Sequence, residues 1–329
     1  MRVLVIGAGL MGKWHAYYAH QAGAQIVAVV DPIAERAAEL AGRYGARACA
    51  SLEQALELGD VDLVHVCTPL DSHLELVTRC LDAGQHVLVE KPLVASLAEL
   101  EPLVERAQAA GLCLIPVHQF AFQPGVSAAL KELQRRQTRA LSVSFDFASA
   151  GGEGRSAEEL DRILLEILPH PLSILQRLWP NSDLEPGSWK VQHAAAGELL
   201  AQGVQGRLPI SLKISMNARP THSHMTIYHG AGALRLDLFH GFVALENPKV
   251  SRKAKLLAPF ARSAKTFFLA ARNLVRRSFT RQPAYPGLKE LIAASYRAAA
   301  GQAPPPISPL DARVVAQGCD LIGKQLGGS

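Results

Sequence analysis

The chain opens with an apolar run, residues 2–7, that breaks into Gly7-Ala8-Gly9-Leu10-Met11-Gly12 and resumes as a helical pattern through Lys13-Trp14-His15-Ala16-Tyr17-Tyr18 towards Gly23. Few spacings restrict a fold so tightly. In such a turn the first glycine takes the bend, the second lets backbone amides approach a pyrophosphate, and the third permits close helix–strand packing. The helix N-terminus then faces the phosphate charge with unpaired N–H groups and the positive end of its dipole. Alone, G-x-G-x-x-G is a weak signal; a strand before it and a helix after it make it strong. A second strand, Gln25–Val30, ends at Asp31, nineteen positions beyond Gly12, where a carboxylate can accept hydrogen bonds from ribose hydroxyls. That charge repels a 2′-phosphate and Pro32 supplies no cation, so NAD is expected over NADP, with Arg36 as the dissenting residue.

The alternation continues, with helices predicted at 33–44, from Ser51, at 71–83 and at 96–110, and strands near 47–50, at 61–67 and at 112–117. Ser96 and Glu99 have capping-box spacing, and Gly84 and Gly111 end their helices. Repeated strand–helix units of this length predict an α/β doubly wound parallel sheet. Within it, His86-Val87-Leu88-Val89 reads as a strand buried on both faces that stops at Glu90-Lys91-Pro92. Ligands of open parallel sheets lie outside the carboxyl ends of the strands, which puts Glu90 and Lys91 where chemistry happens. Pro92 fixes φ and biases Lys91 to an extended conformation, so the lysine is aimed.

After His118-Gln119-Phe120 the rhythm changes. Helices are predicted at 124–136, 157–168, 171–178, 288–299 and 309–326, and strands at 141–147, 189–194, 208–216, 222–229 and 233–239. Several strands alternate, as in a sheet with one covered face. The chain of 329 residues is thus expected to form two domains, 1–120 and 121–329, the second α+β with a mainly antiparallel sheet. Gly151-Gly152-Glu153-Gly154 reads as a mobile loop and Ala303-Pro304-Pro305-Pro306 as a stiff connector. Five cysteines without C-x-x-C spacing fit reduced thiols of a cytoplasmic protein, and no metal site is suggested. There is no apolar run of the ~18 residues a membrane span needs, and no cleavable signal pattern.

The net charge of +5 belongs to one segment. Ten basic residues and no acidic one lie between Lys249 and Arg281; without them 24 Lys and Arg face 29 Asp and Glu. Within it, apolar residues at 260, 264, 267, 268, 271, 274 and 275 share one helical face, and 262, 265, 272 and 276 share another. Three uses stay open: a solvated face over ordinary core, recognition of an anionic substrate or carrier, or a membrane surface. Nucleic acid is not expected, because aromatic content of 6% supplies no stacking platform.

Several stretches together resemble the glucose–fructose oxidoreductase / inositol dehydrogenase / rhizopine catabolism (Gfo/Idh/MocA) family. They are Gly7–Gly12 with His15-Ala16, Cys67-Thr68-Pro69 with His73, Ala83 to Leu93 through Glu90-Lys91-Pro92, and His118-Gln119-Phe120 with Phe122 and Pro124. The resemblance implies a Rossmann domain, a second domain with an open-faced sheet often used for homo-oligomer contacts, and hydride transfer between a nicotinamide and a carbinol carbon, frequently of a sugar or polyol. Gly7, Gly9, Leu10, Met11, Gly12, Asp31, Thr68, Pro69, His73, Glu90, Lys91 and Gln119 become the expected cofactor-binding set. The family's D-x-x-x-H motif is matched by Glu166-Ile167-Leu168-Pro169-His170, with Glu166 standing for the aspartate. His170 would shuttle the hydroxyl proton, Glu166 would orient its ring, and Lys91 would stabilise alkoxide character.

The chain departs from the family pattern at Leu70 in place of asparagine, Ala121 in place of arginine and Ser173 in place of aspartate, each change removing a polar group. A plain polyol substrate becomes less expected, and a sugar-like or anionic small molecule is the working expectation. Two rival functions stand beside a dehydrogenase: a glycosidase or epimerase that oxidises transiently, and an NAD-binding sensor without turnover. His222 and His224 share one side of a strand and fit a subunit interface better than a cleft; His15 and His73 read as packing residues.

Overall fold

In the computed structural model of the chain, residues 1–59, 61–180, 189–246 and 251–326 are described. The first stretch runs β1 (Arg2–Ile6), α1 (Leu10–Gln21), β2 (Gln25–Val30), α2 (Ala34–Tyr44), β3 (Arg47–Cys49), α3 (Leu52–Leu56), β4 (Leu63–Val66), α4 (His73–Asp82), β5 (His86–Val89), α5 (Leu97–Ala109) and β6 (Leu114–Pro116). The second runs α6 (Pro124–Arg136), β7 (Ala140–Ala148), α7 (Ala157–Ile167), α8 (Pro169–Leu178), β8 (Lys190–Gln192), β9 (Glu198–Gln205), β10 (Leu208–Ser215), β11 (His222–His229), β12 (Gly232–Asp237), β13 (Phe242–Glu246), α9 (Arg252–Phe279), α10 (Leu288–Ala299) and α11 (Pro309–Leu326).

The chain forms two compact units: Met1–His118 with Leu288–Gln317, and Gln119–Gly287 with Gly318–Ser329. The first holds a parallel sheet in the order β3-β2-β1-β4-β5-β6. Its central strands are buried on both faces, which is why they read as unbroken runs of Val, Leu and Ile rather than alternating ones. Ser51 and Ser96 cap α3 and α5 by accepting the N–H of Gln54 and Glu99. Strand order reverses between β1 and β4, the switch point at which such sheets bind ligands.

One boundary differs from the sequence reading. The sequence pattern groups residues 288–317 with the second domain, yet α10 packs against α1 and β5 of the first unit. It buries Leu288, Leu291, Ile292 and Tyr296 there. Amphipathic spacing shows that a helix has an apolar stripe, not which sheet receives it.

The second unit holds a seven-stranded mixed sheet in the order β13-β12-β11-β7-β10-β9-β8, antiparallel except for the β10–β7 pair. One face is apolar and covered (Phe145, Leu212, Met225, Ile227), while the other exposes Ser144, Asp146, Lys213 and His224. Strands β9 and β13 escape sequence reading. Gly203 breaks the β9 pattern because a Cβ there would meet the Trp189 ring at 2.6 Å. Residues 151–154, expected as a mobile loop, instead include a short turn, Ala150–Gly152. Gly152 is buried so tightly that a Cβ would meet the Met216 carbonyl oxygen at 2.6 Å.

Helix α9 carries the basic segment, apart from Lys249, which lies outside the described residues, and Arg281 just beyond its end. Its inner side is held by Arg262 to Glu246 at 3.3 Å, Asn273 to the His240 carbonyl oxygen at 2.9 Å, and Lys265 to the Leu245 carbonyl oxygen. Among the described residues no helix is long and apolar enough to cross a membrane.

Candidate active site

The ends of β1, β2, β4 and β5 form a rim in the first unit. Gly7 has a φ of +93°, and a Cβ there would meet the Cys67 carbonyl oxygen at 2.6 Å, so only glycine fits between the two turns. Gly12 is tighter: a Cβ would stand 1.7 Å from the Gly7 carbonyl oxygen. Gly9 is the contrast. A Cβ there would meet no protein atom within 4 Å, so packing does not require this glycine. An open backbone at the head of a helix is the cradle a pyrophosphate needs, and a side chain would fill it. Leu10 and Met11 begin the helix beside it, Leu10 exposed.

Asp31 is buried at the end of β2. Its Oδ2 accepts the Ala8 N–H at 2.7 Å and its Oδ1 accepts the Ile33 N–H at 2.9 Å. The carboxylate thereby braces the glycine turn, and each oxygen keeps a lone pair for a further donor.

After β4, Ser72 Oγ lies 2.8 Å from both Thr68 Oγ1 and the Pro69 carbonyl oxygen, shaping the turn that follows the strand. His73 is buried with Nε2 at 2.8 Å from the Thr68 carbonyl oxygen and Nδ1 at 2.9 Å from that of Pro92. It staples the Thr68-Pro69 turn to the segment carrying Lys91. Both contacts lie within the first unit and hold the turn in place.

Glu90 and Lys91 leave β5 with opposite fates. Glu90 is buried; its Oε2 accepts the Lys91 N–H at 3.1 Å and its Oε1 lies 3.1 Å from His15 Nε2. The chain continues from His15 Nδ1 to His65 Nδ1 at 2.9 Å and from His65 Nε2 to the Tyr296 hydroxyl at 2.8 Å. Burial, and secondarily the charge of His15, hold His65 well below the usual imidazole pKa. A neutral ring donates from one nitrogen and accepts at the other, so His65 can pair with both neighbours. Lys91 stays half-buried. Beside it His118 is pushed down to about 4, by burial first and by the positive charge of Lys91 as well, while Asp311 opposes the shift. The imidazole of His118 is therefore neutral at neutral pH. His65, Tyr296 and His118 carry no role in the sequence reading. A histidine inside the apolar run Leu63-Val64-His65-Val66 is the one signal that could have pointed to a buried polar chain.

In the second unit, α7 is capped by a capping box of Ser156 and Glu159 and leads through Leu168 into α8, which begins Pro169-His170. Proline at the first turn is favourable because its missing N–H has no intrahelical partner there. His170 is buried, and its ring stacks on Phe120 with centroids 4.0 Å apart and planes 18° apart. The aromatic stack, not foreseen in the sequence, fixes the imidazole plane. Ser173 donates to the His170 carbonyl oxygen at 2.9 Å, so this departure from the family pattern serves the helix backbone. Glu166 sits one turn before His170, half-buried. Gln119 is buried, with a side-chain oxygen that has no hydrogen-bond partner among the described residues.

On the open face of the second sheet, His222 stacks on His224 at 4.9 Å and lies 3.4 Å from Asp146. A cleft of about 890 Å³ between this face and α9 is lined by Asp146, His224, Arg235, Arg262 and Lys265, among others.

A parallel sheet with a glycine turn at its switch point, in a chain whose second unit is built on a mixed sheet, defines a protein of the dinucleotide-binding Rossmann class. Residues 1–118 match the model of the oxidoreductase family with an NAD-binding Rossmann fold, GFO_IDH_MocA. Over that stretch the chain is similar to the Gfo/Idh/MocA family. It is 39% identical over 126 residues to a 4-carboxy-2-hydroxymuconate-6-semialdehyde dehydrogenase of Sphingobium, a stretch covering 38% of this chain and 40% of that one. It is 36% identical over 136 residues to inositol 2-dehydrogenase 3 of Saccharopolyspora erythraea, covering 41% of this chain and 39% of that one. The matched stretch thus spans about two-fifths of the length of these curated relatives. The whole chain has the fold of a UDP-N-acetylglucosamine 3-dehydrogenase of Acidithiobacillus ferrooxidans, with a TM-score of 0.77, 20% identity, and coverage of 100% of this chain and 98% of that one.

Proposed function

We propose that the chain is an NAD-dependent oxidoreductase that moves hydride between a nicotinamide and a carbinol or carbonyl carbon of a sugar-like small molecule, with Lys91 and His170 handling the proton. The observation that carries this reading is the rim of the parallel sheet. There the open Gly9 backbone, the braced Asp31 carboxylate and the Glu90-Lys91 strand end follow β1, β2 and β5 of one sheet. Gly7, Gly9, Leu10, Met11 and Gly12 would hold the pyrophosphate, Asp31 the adenosine ribose, and Thr68, Pro69, Glu90, Lys91 and Gln119 the nicotinamide end. When bound there, the nicotinamide supplies the hydride acceptor or donor.

Lys91 donates a hydrogen bond to the reacting oxygen and stabilises the negative charge that grows on it as the carbon–hydrogen bond weakens. With His118 neutral, the ammonium of Lys91 is not opposed by a second cation at that position. His170 accepts the hydroxyl proton in the oxidative direction and returns it in the reductive one, its plane fixed by Phe120. Glu166, four positions earlier, orients the ring. The carboxylate of Asp31 selects NAD over NADP by repelling a 2′-phosphate. The sugar-like substrate class is supported by the inositol and UDP-sugar dehydrogenases among the relatives. Leu70 and Ala121 each lack a polar group that could bind hydroxyls or carboxylates, so a plain polyol is the less favoured substrate. The polar open face with His222 and His224 is the surface for a homo-oligomer, a dimer or tetramer.

The test is Lys91→Ala, assayed for turnover and, separately, for cofactor affinity by calorimetry. Turnover should fall by about 10²–10³-fold, the usual cost of a lost charge-stabilising donor, while NAD still binds. Wild-type turnover in this variant refutes the assignment. Following nicotinamide absorbance in the wild type separates the rivals: product without net reduced nicotinamide means transient oxidation, and NAD binding without product from any sugar-like compound means a sensor.

A further inference from the structure

The structure assigns a second, independent task to α9: its outward face is a docking surface for a bilayer containing anionic lipid, on which the helix lies in the interface plane. Amphipathic helices of folded proteins turn their apolar stripe inward. Helix α9 does the reverse. Its inner side is made of Arg262, Lys265, Asn273 and Arg277, tied to Glu246 and to the carbonyl oxygens of Leu245, His240 and Gln282. Its outer side carries Leu256, Leu257, Phe260, Phe267, Phe268, Leu274, Val275 and Phe279, all exposed, from 54% for Val275 to 85% for Phe279. The polar bonds to the sheet unit fix the rotation of the helix, so the apolar stripe is presented by construction.

The stripe is long and narrow, as an interfacial helix requires. Twenty-eight residues rise about 42 Å. Four phenylalanines and several leucines on one side, with arginine and lysine on the other, make the composition that sinks into the boundary between headgroups and acyl chains. Arg272 is exposed along one edge of the stripe. From there its aliphatic stem can lie on apolar surface while the charge reaches headgroup phosphates. Charge selects the occupant. The helix contains eight basic residues and no acidic one, so pairing with a second copy of itself would bring like charges together. An anionic bilayer instead supplies the opposite charge along the whole length. This inference does not rest on the proposed enzymatic function.

The experiment is co-sedimentation of the full chain with vesicles of phosphatidylcholine alone and of phosphatidylcholine with phosphatidylglycerol. Retention is expected only on the anionic vesicles, falling as salt is raised. Arg272→Glu should weaken it roughly five-fold or more, since each cation near such a surface is worth about that factor. Phe267→Ser with Phe268→Ser should abolish it; both side chains are exposed, so an unchanged melting temperature certifies the fold. Equal retention on neutral and anionic vesicles, or none on either, overturns the proposal. So does retention that survives the double serine variant, and so does a lipid-free dimer that these serines dissolve, because the stripe then serves a second copy.

Discussion

The chain Glu90–His15–His65–Tyr296 and the outer face of α9 break the same rule in opposite directions. Polar groups are usually wet and large apolar side chains usually dry. In the first unit, four polar side chains lie buried between β5, α1, β4 and α10, and each finds a partner within the unit. On α9, eight large apolar side chains face solvent. A buried polar chain whose members satisfy one another is complete inside the protein. An exposed apolar stripe is completed only by something outside it. The difference teaches where to look for each consequence: the first departure governs stability and the geometry of Lys91, the second governs association.

The largest effect expected from this contrast follows from removing the middle of the polar chain. His65→Leu keeps an apolar volume in β4 but strands His15 Nδ1 and the Tyr296 hydroxyl without their partner. Each orphaned buried group costs about 1–3 kcal/mol, so unfolding in urea should show a loss of roughly 2–5 kcal/mol. A loss below 1 kcal/mol would mean that the groups re-pair and that the chain is no unit. Next comes acid. The folded pKa of His118 lies near 4, below the 6.5 of an unfolded histidine, and that of His65 is lowered too. Above about pH 6.5 both states leave these rings neutral and no penalty exists. As pH falls from there towards 4 the unfolded chain binds the protons first. Stability should therefore decline on acidification by up to about 1.4 kcal/mol per pH unit for each such ring. His118→Asn should flatten the urea midpoint across this window; an unaltered slope assigns the acid sensitivity elsewhere. Glu90→Gln is expected to cost less, about 1–2 kcal/mol, because an amide oxygen still accepts from His15 while the charge assistance is lost.

How much of this was legible beforehand differs between the regions for a physical reason. The glycine turn, Asp31 at the end of β2, and Glu90-Lys91 at the end of β5 were readable because local backbone geometry demands those residue types at those spacings. Strands Gln25–Val30 and His222–His229 and helix Pro124–Arg136 were read with the bounds they have. Contacts between segments far apart in sequence left no such trace. Nothing near Tyr296 announces that its hydroxyl meets His65, 231 positions earlier, and nothing near Phe120 announces the stack on His170. Gly203 disguised β9 because its reason, the Trp189 ring, comes from the residue just before β8. For α9 the sequence showed two faces but not their orientation, which depends on acceptors such as Glu246 and the Leu245 carbonyl oxygen.

The smallest effect is the most discriminating one. Phe268→Ser removes a large apolar side chain, a change that costs several kcal/mol in a core. On the outer face of α9 the ring is 68% exposed, and its ring neighbour is Phe267, itself equally exposed. The unfolded chain exposes that ring too, so folding gains little from it and the change in unfolding free energy should stay within about 0.5 kcal/mol. Solubility should rise, since an exposed apolar patch promotes association. A loss above 1.5 kcal/mol would show that the stripe is packed in the working protein, with α9 rotated or folded onto other residues. The contrast between a buried polar chain and an exposed apolar stripe would then dissolve, because both would be interior.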